Sequence, residues 1–276
     1  MNTSNGVDDE HREIHAPEAP SLVVVDKRTG KLLATDGEKI GPRIFHSTWS
    51  SPALAEVNGR TDIVFCGGDG VVYGFEPVEQ DVAGEVRTLK RVWKYDGDPA
   101  APKEHVHQYL RNRKESPSNI LSMPVVKAGR MYVTLGGDLW WGKNAAWLKC
   151  VELGGTGELK ELWSVPLDKH SMSTPAVADG LVYAADCEGN VFCVEEKSGK
   201  LLWSHAGTGS YWASPLVADG KVFIGSRNGR FRVFAAGREM KLRSEVKAGT
   251  KISATAVAAN GVLYVATMKT LFAVRE

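Results

Sequence analysis

The sequence predicts an all-β fold, and two observations carry that prediction. The segment PAVADGLVYAADCEGNVFCVEE (175–196) alternates short β-prone runs with turn signals at Asp179-Gly180 and Glu188-Gly189-Asn190. The same pattern of strands and turns recurs 40 residues further on, in PLVADGKVFIGSRNGRFRVFAA (215–236). A repeat of this length with four strands is typical of a β-propeller blade, because one sheet cannot bury both faces alone and copies must stack.

The best-defined repeat predicts four antiparallel strands, named A to D, at 174–178, 181–185, 191–195 and 201–205. Strand A opens again at equivalent positions, 72, 51, 40 and 41 residues apart, and the larger spacings indicate insertions; these positions are Pro52, Pro124, Pro175, Pro215 and Ala256. Residues 21–35 supply only strands C and D, and the last blade stops after strand C at Glu276.

The expected architecture is therefore WD40-like, with four whole four-stranded blades and partial first and last blades. Propellers hide their strand edges by closing the ring. Either the N-terminal strand closes this one by pairing with residues 270–274, or the chain is the C-terminal part of a longer propeller, which is the reading we favour.

Strand D carries a tryptophan in three copies, and we predict that these rings are structural anchors docked between blades. They are Trp93 in RVWKY, Trp163 in ELWSV and Trp203 in LLWSH. Two copies depart from the pattern, with Ala34 in the first blade and Arg243 in the fifth. We expect the interfaces at those two positions to be weaker or differently packed.

Composition excludes several classes of partner. The chain has 276 residues, 24% of them charged, and a formal net charge of +1, so no overall field attracts nucleic acid or an anionic membrane. The sequence has no apolar run long enough to predict a membrane-spanning helix. Residues 1–20 are predicted to be an extended polar segment without a signal peptide. Four cysteines, none of them adjacent, leave the redox compartment open.

One face of the predicted blades collects the candidate binding residues. Two long insertions, 96–119 and 136–146, leave the blades as D-to-A and B-to-C connections, which emerge on the same side. The predicted ligand-binding residues are His46, Trp49, Arg111, Arg113, Trp140, Trp141, His170, Tyr211 and Trp212. For Trp49 and Trp212, three residues before a strand-A proline, a core plug and an aromatic ligand platform remain equal alternatives. The spacing of the histidines predicts no metal site, and Asp69 and Asp186 are expected to serve B-to-C turns.

The strand motifs SSPALAEVNG, STPAVADG, VDKRTGKLL and EEKSGKLLW resemble the repeats of the pyrroloquinoline quinone (PQQ)-like β-propeller family. The resemblance covers a domain at 21–276. It implies a periplasmic or secreted setting and either a quinone-dependent dehydrogenase or a binding scaffold such as the β-barrel assembly lipoprotein. PQQ and calcium are implied as cofactors by this resemblance alone. The adjacent cysteines, catalytic aspartate and calcium ligands of such dehydrogenases have no match here, so no catalytic residue is named.

The sequence therefore favours a non-catalytic binding or scaffold propeller that recognises a protein or small ligand on its D-to-A and B-to-C loop face. A PQQ-type dehydrogenase, or a fragment of one, is the alternative. A glycan-binding propeller is a further alternative, since aromatic residues collect on the predicted face.

Overall fold

The computed structural model describes residues 1–78 and 85–275, and this part of the chain is built from strands joined by turns. The strands, in chain order, are β1 (Val23–Val25), β2 (Leu32–Thr35), β3 (Ala53–Val57), β4 (Arg60–Cys66), β5 (Val71–Phe75), β6 (Arg87–Thr88), β7 (Arg91–Asp96), β8 (Ser118–Asn119), β9 (Val125–Lys127), β10 (Arg130–Gly137), β11 (Ala146–Glu152), β12 (Gly157–Glu158), β13 (Glu161–Leu167), β14 (Ala176–Ala178), β15 (Leu181–Ala185), β16 (Asn190–Glu195), β17 (Leu201–Ala206), β18 (Leu216–Ala218), β19 (Lys221–Gly225), β20 (Arg230–Ala235), β21 (Leu242–Lys247), β22 (Val257–Ala259), β23 (Val262–Ala266) and β24 (Leu271–Val274).

Helical structure in the described residues is limited to two 3-10 turns, Gly41–Arg43 and Val106–Tyr109. None of these segments has the length and apolar character of a membrane-spanning helix. The predicted all-β propeller fold, with four-stranded antiparallel blades, is confirmed.

The chain divides into two compact units. The first contains residues 1–144 and 149–162, the second residues 145–148 and 163–276, and the boundary passes through β11 and β13. In the first unit, β3, β4, β5 and β7 form an antiparallel sheet, and β10 pairs with β8 and β9. In the second, β14 to β17 and β18 to β21 form two four-stranded sheets, and β22 to β24 form a three-stranded one.

Short parallel strands extend two sheets of the first unit. β6 adds to the outer edge of β2, and β12 adds to the outer edge of β7. Both come from the connections between strands C and D of a following repeat. They cover backbone groups that an edge strand would otherwise leave unpaired.

The A-to-B turns explain why each repeat folds back within two residues. Asp179 and Gly180 both have positive φ, at 49° and 75°. This is the geometry of a type I′ turn, whose twist matches that of the flanking strands, and Asp-Gly and Asn-Gly pairs adopt it most readily. The same pair of positive φ values recurs at four other A-to-B turns: Asn58-Gly59, Ala128-Gly129, Asp219-Gly220 and Asn260-Gly261.

The B-to-C turns use buried aspartates, as predicted. The Asp186 Oδ1 atom accepts hydrogen bonds from the backbone N–H groups of Glu188, Gly189 and Asn190, at 2.9–3.0 Å. Asp69 accepts one from Val71 at 3.3 Å and is also bound by the Arg43 guanidinium and the Tyr73 hydroxyl. These bonds satisfy backbone donors that the sharp turn leaves without a ladder partner.

The strand-D tryptophans are buried. In the second unit, the Trp203 ring lies 5.7 Å from the Phe234 ring, and its Nε1–H donates to the Gly237 carbonyl at 3.0 Å. Trp163 docks in the same way on the turn of the next repeat, donating to the Glu196 carbonyl at 3.1 Å. In the first unit, Trp93 donates to the Asp62 carboxylate at 2.8 Å. All three rings are buried, and their role as structural anchors between blades stays a prediction.

Arg243 stands at the strand-D tryptophan position of the β18–β21 sheet, and its surroundings are open. All six residues of β21 are exposed. A groove of about 730 Å³ lies beside it, lined largely by apolar side chains that include Phe223, Phe231, Leu263 and Phe272. The expectation of a differently packed interface at Arg243 is confirmed, because a guanidinium cannot take the apolar place of an indole.

We predict that Trp203→Ala lowers the free energy of unfolding by about 3–5 kcal/mol, since the change removes a buried ring and leaves a cavity. Arg243→Ala is the matched control at the same repeat position and should change it by less than about 0.5 kcal/mol. Urea denaturation followed by circular dichroism measures both. Similar losses in the two variants would show that the indole anchors nothing.

Candidate binding site

The connection between β2 and β3 positions the first site residues. It contains the 3-10 turn Gly41–Arg43, followed by His46 and Trp49. The N-terminal segment crosses it: the Val7 N–H donates to the His46 carbonyl at 2.9 Å, and the Thr48 N–H donates to the Asn5 carbonyl at 3.0 Å. The segment then turns back, which brings the His11 ring to within 4.8 Å of the His46 ring.

Asp138, at the end of β10, holds the second group of site residues. Its Oδ1 atom accepts hydrogen bonds from the backbone N–H groups of Trp140 and Trp141, at 2.9 and 2.8 Å. Its Oδ2 atom lies 3.4 Å from His46 Nδ1. The carboxylate is fully buried; it fixes the tryptophan loop through these two backbone bonds and lies beside the histidine ring.

The rings form one continuous cluster. His46 stacks on Trp140 with centroids 5.2 Å apart, and it meets Trp49 edge-on at 5.3 Å. Trp49 and Trp140 are 6.4 Å apart at a steep angle. Trp49 and Trp140 retain 42% and 38% of their accessible surface. His46 and Trp49 come from the connection between β2 and β3 and Trp140 from the segment after β10, and the structure brings these three rings together.

Arg111 and Arg113 are exposed, and both contact the tryptophan loop. The Arg111 guanidinium carbon lies 5.2 Å from the centre of the Trp141 ring, a cation–π distance. Arg113 donates to the carbonyl oxygens of Gly142 and Trp140, both at 2.8 Å. The two guanidinium groups therefore help to hold the tryptophan loop.

Burial keeps His46 neutral at physiological pH. Desolvation lowers the pKa of its imidazole, and the neighbouring Asp138 carboxylate opposes that shift without cancelling it. The His11 ring lowers the His46 pKa slightly further. A neutral imidazole can donate from one nitrogen and accept at the other, which suits polar recognition.

A cavity of about 400 Å³ opens beside Trp49. The acidic residues Asp8 and Asp9 line it, whereas no lysine or arginine of the described residues does. The remaining lining residues are Ser4, Gly6, Val7, His11, His46, Ser47 and Trp49. The site thus combines an exposed indole, two imidazoles and two carboxyl groups.

The other predicted site residues belong to the second unit, and two of them are buried. His170 and Tyr211 are at most 1% exposed. The Tyr211 hydroxyl is hydrogen-bonded by Arg232 in the core. Trp212 is half-buried beneath the Arg227 guanidinium, whose carbon lies 3.8 Å from the ring centre. As they stand, His170 and Tyr211 present no surface to a ligand, because the core encloses their side chains.

The sequence patterns did not identify three parts of this site: His11, Asp138 and the acidic turn at Asp8 and Asp9. The first and last lie in the N-terminal segment, outside every repeat, so no repeat position marked them. Asp138 had a readable signal, because an aspartate after a glycine pair at the end of a strand is a turn former.

The described residues do not fit a site for PQQ and calcium. All four cysteines are buried and free, burial raises the pKa of Cys66 to about 12, and none is adjacent to another in sequence as a vicinal disulfide requires. Ligand atoms of Asp8, Glu13 and His15 lie within 4.8 Å of one another, but on a surface turn and without a side-chain amide. We therefore derive no quinone chemistry for this chain.

Comparison with known proteins agrees with the fold described above. Residues 154–241 match the model of a family described as the outer membrane protein assembly factor BamB. The crystal structure of BamB from Moraxella catarrhalis superposes on 98% of this chain and 83% of its own, with a TM-score of 0.55 and 14% identity. Residues 154–241 therefore resemble PQQ-like repeats.

A second solved structure bears on the fold alone. The computationally designed protein Ika8 matches with a TM-score of 0.59 at 13% identity. The match covers 91% of this chain but only 64% of the designed one. No curated protein matches the chain by sequence.

We predict that His46→Gln flattens the pH dependence of stability on the acid side. The folded protein holds the His46 pKa below its unfolded value, so the unfolded state binds the proton more readily. This contribution to stability is present above the unfolded pKa of about 6.5 and is lost as pH falls through the interval down to the folded pKa. Urea denaturation at pH 7.5 and 5.5 measures the difference. An equal acid loss in the variant and the parent would contradict the prediction.

Proposed function

We propose that this PQQ-like propeller is a binding module that recognises a protein or small ligand through the ring cluster of His46, Trp49, Trp140 and Trp141. The observation that carries the proposal is the exposure of Trp49 and Trp140, the second of which lies on a loop held by the buried Asp138. Two neighbouring exposed indoles cost solubility unless a ligand covers them, and rigid aromatic residues dominate binding energy at interfaces.

The arrangement supports binding rather than chemistry. Asp138 accepts hydrogen bonds from two backbone N–H groups, and the Arg113 guanidinium donates to two loop carbonyl oxygens. These contacts fix the rings in place before a ligand arrives, so little ordering entropy remains to be lost. A glycan-binding propeller remains the second candidate, because an indole beside carboxyl groups can stack on a sugar and accept from its hydroxyls.

The test uses the protein labelled for peptide and glycan arrays, followed by titration of the strongest binder. We expect Trp49→Ala and Trp140→Ala each to weaken that binding by about 1–3 kcal/mol, near the range of interface hot spots. The controls Asp179→Asn and Ser198→Ala lie on turns at other connections and should leave affinity unchanged.

Circular dichroism establishes that the variants fold. Equal losses in the tryptophan and turn variants, or full binding by both tryptophan variants, would remove the ring cluster from the proposal.

A further inference from the structure

Two tryptophans of the chain occupy the same position of the repeat but have different surroundings. Trp49 and Trp212 each stand three residues before the proline that opens strand A, Pro52 and Pro215. The B-to-C turns beside them are also equivalent, since Gly67 N–H donates to the Val71 carbonyl as Ser226 N–H does to the Arg230 carbonyl. The two sites can therefore be compared residue by residue.

At Trp212 the chain supplies its own cation. Arg227, the second residue of that turn, places its guanidinium carbon 3.8 Å from the centre of the Trp212 ring. The arginine is held by its backbone N–H, which donates to the Ser210 carbonyl at 2.9 Å, and by Nη1, which donates to Ser253 Oγ at 3.0 Å. The negative face of the indole and the delocalised charge make this a favourable pair.

At Trp49 the equivalent of Arg227 is Gly68. A Cβ added there would lie 2.7 Å from the Ser47 carbonyl oxygen, so the backbone leaves no room for a side chain. Within residues 1–78 and 85–275, no lysine or arginine covers Trp49; its ring contacts are His46 and Trp140. The repeat position that holds a cation in one blade is open in the other.

The charge beside Trp49 is suited to a cation from outside. Asp8 and Asp9 line the cavity, and Arg12, the nearest arginine in sequence, points its guanidinium at Glu10 at 3.1 Å. The Arg12 backbone N–H lowers the Asp8 pKa, so that carboxyl group is ionised at neutral pH. Two carboxylates attract a cation by their charge, and a neutral ligand lacks that attraction.

We infer that the Trp49 cavity binds an organic cation, an alkylammonium or guanidinium group that stacks on the indole and pairs with Asp8 and Asp9. The inference rests on the proposed function of the ring cluster and names its ligand class. The cation belongs either to a free small molecule or to a lysine or arginine side chain of a peptide.

The experiment titrates the full chain with N-acetyl-arginine amide and with N-acetyl-citrulline amide, which has nearly the same shape without the charge. Tryptophan fluorescence and calorimetry report binding. We expect the arginine derivative to bind at least tenfold more tightly, with an affinity that falls as salt is raised. A Gly-Arg-Gly peptide then separates the sources: a further tenfold gain indicates a peptide ligand, and equal affinity a small molecule.

Variants locate the site. Trp49→Leu and Asp9→Asn should each weaken binding of the arginine derivative by at least fivefold, while the conservative Trp49→Tyr retains most of it. Asp219→Asn removes an exposed carboxylate on a turn of the second unit and is the charge control, for which no change is expected. Because Asp9 is exposed and Trp49→Tyr keeps an aromatic ring, these variants test the site even where Trp49→Leu fails to fold.

Equal affinities for the arginine and citrulline derivatives, no binding of either, or binding unaffected by Trp49→Leu and Asp9→Asn would each overturn the inference. A neutral glycan that depends on Trp49 but not on Asp9 would leave the proposed function standing and end the cation assignment. Array binding that ignores Trp49 and Trp140 would end both.

Discussion

The need to bury both faces of every sheet governs this chain. A four-stranded blade has one residue in two on each face, so each repeat must find cover on both sides. In the second unit, Trp203 is that cover between the β14–β17 and β18–β21 sheets: its ring lies against Tyr183 on one side and Phe234 on the other. The strand-D tryptophan recurs in three copies of the repeat because each of these sheets needs a large side chain at that position.

Open space lies beside two positions at which the repeat departs from this scheme. Arg243 replaces the tryptophan, and an apolar groove opens beside it. Gly68 stands at the repeat position that Arg227 occupies beside Trp212, and the Trp49 ring is left open to a cavity. Where the repeats share the same residue, neighbouring repeats pack against it in the same way. A position at which one repeat carries a different residue can therefore leave space for a ligand.

The strands were predictable because their signals are local. Strand B matches β15 at both ends, since the Asp-Gly turn before it and the buried turn aspartate after it fix the limits. Strand A starts two residues later than predicted. The Thr174 N–H donates to the Ser214 hydroxyl at 2.9 Å, and the Ser214 N–H donates in turn to Thr255 at 3.0 Å, so these donors serve neighbouring repeats rather than the ladder. No local pattern encodes such bonds, nor the two-residue strands β6 and β12.

The candidate site was predictable only in part for the same reason. Their place in the repeat identified Trp49 and Trp212 as equivalent. It did not show which of the two rings would be covered by a cation, because that depends on residues later in the sequence, Gly68 and Arg227. His11, Asp8 and Asp9 reach the cavity through backbone pairing of the N-terminal segment with residues 46–48, which involves no side-chain pattern. The same indole is thus an internal anchor for a guanidinium in one blade and an open surface beside two carboxylates in another. The residue that decides between them is a glycine whose backbone neighbours admit no side chain.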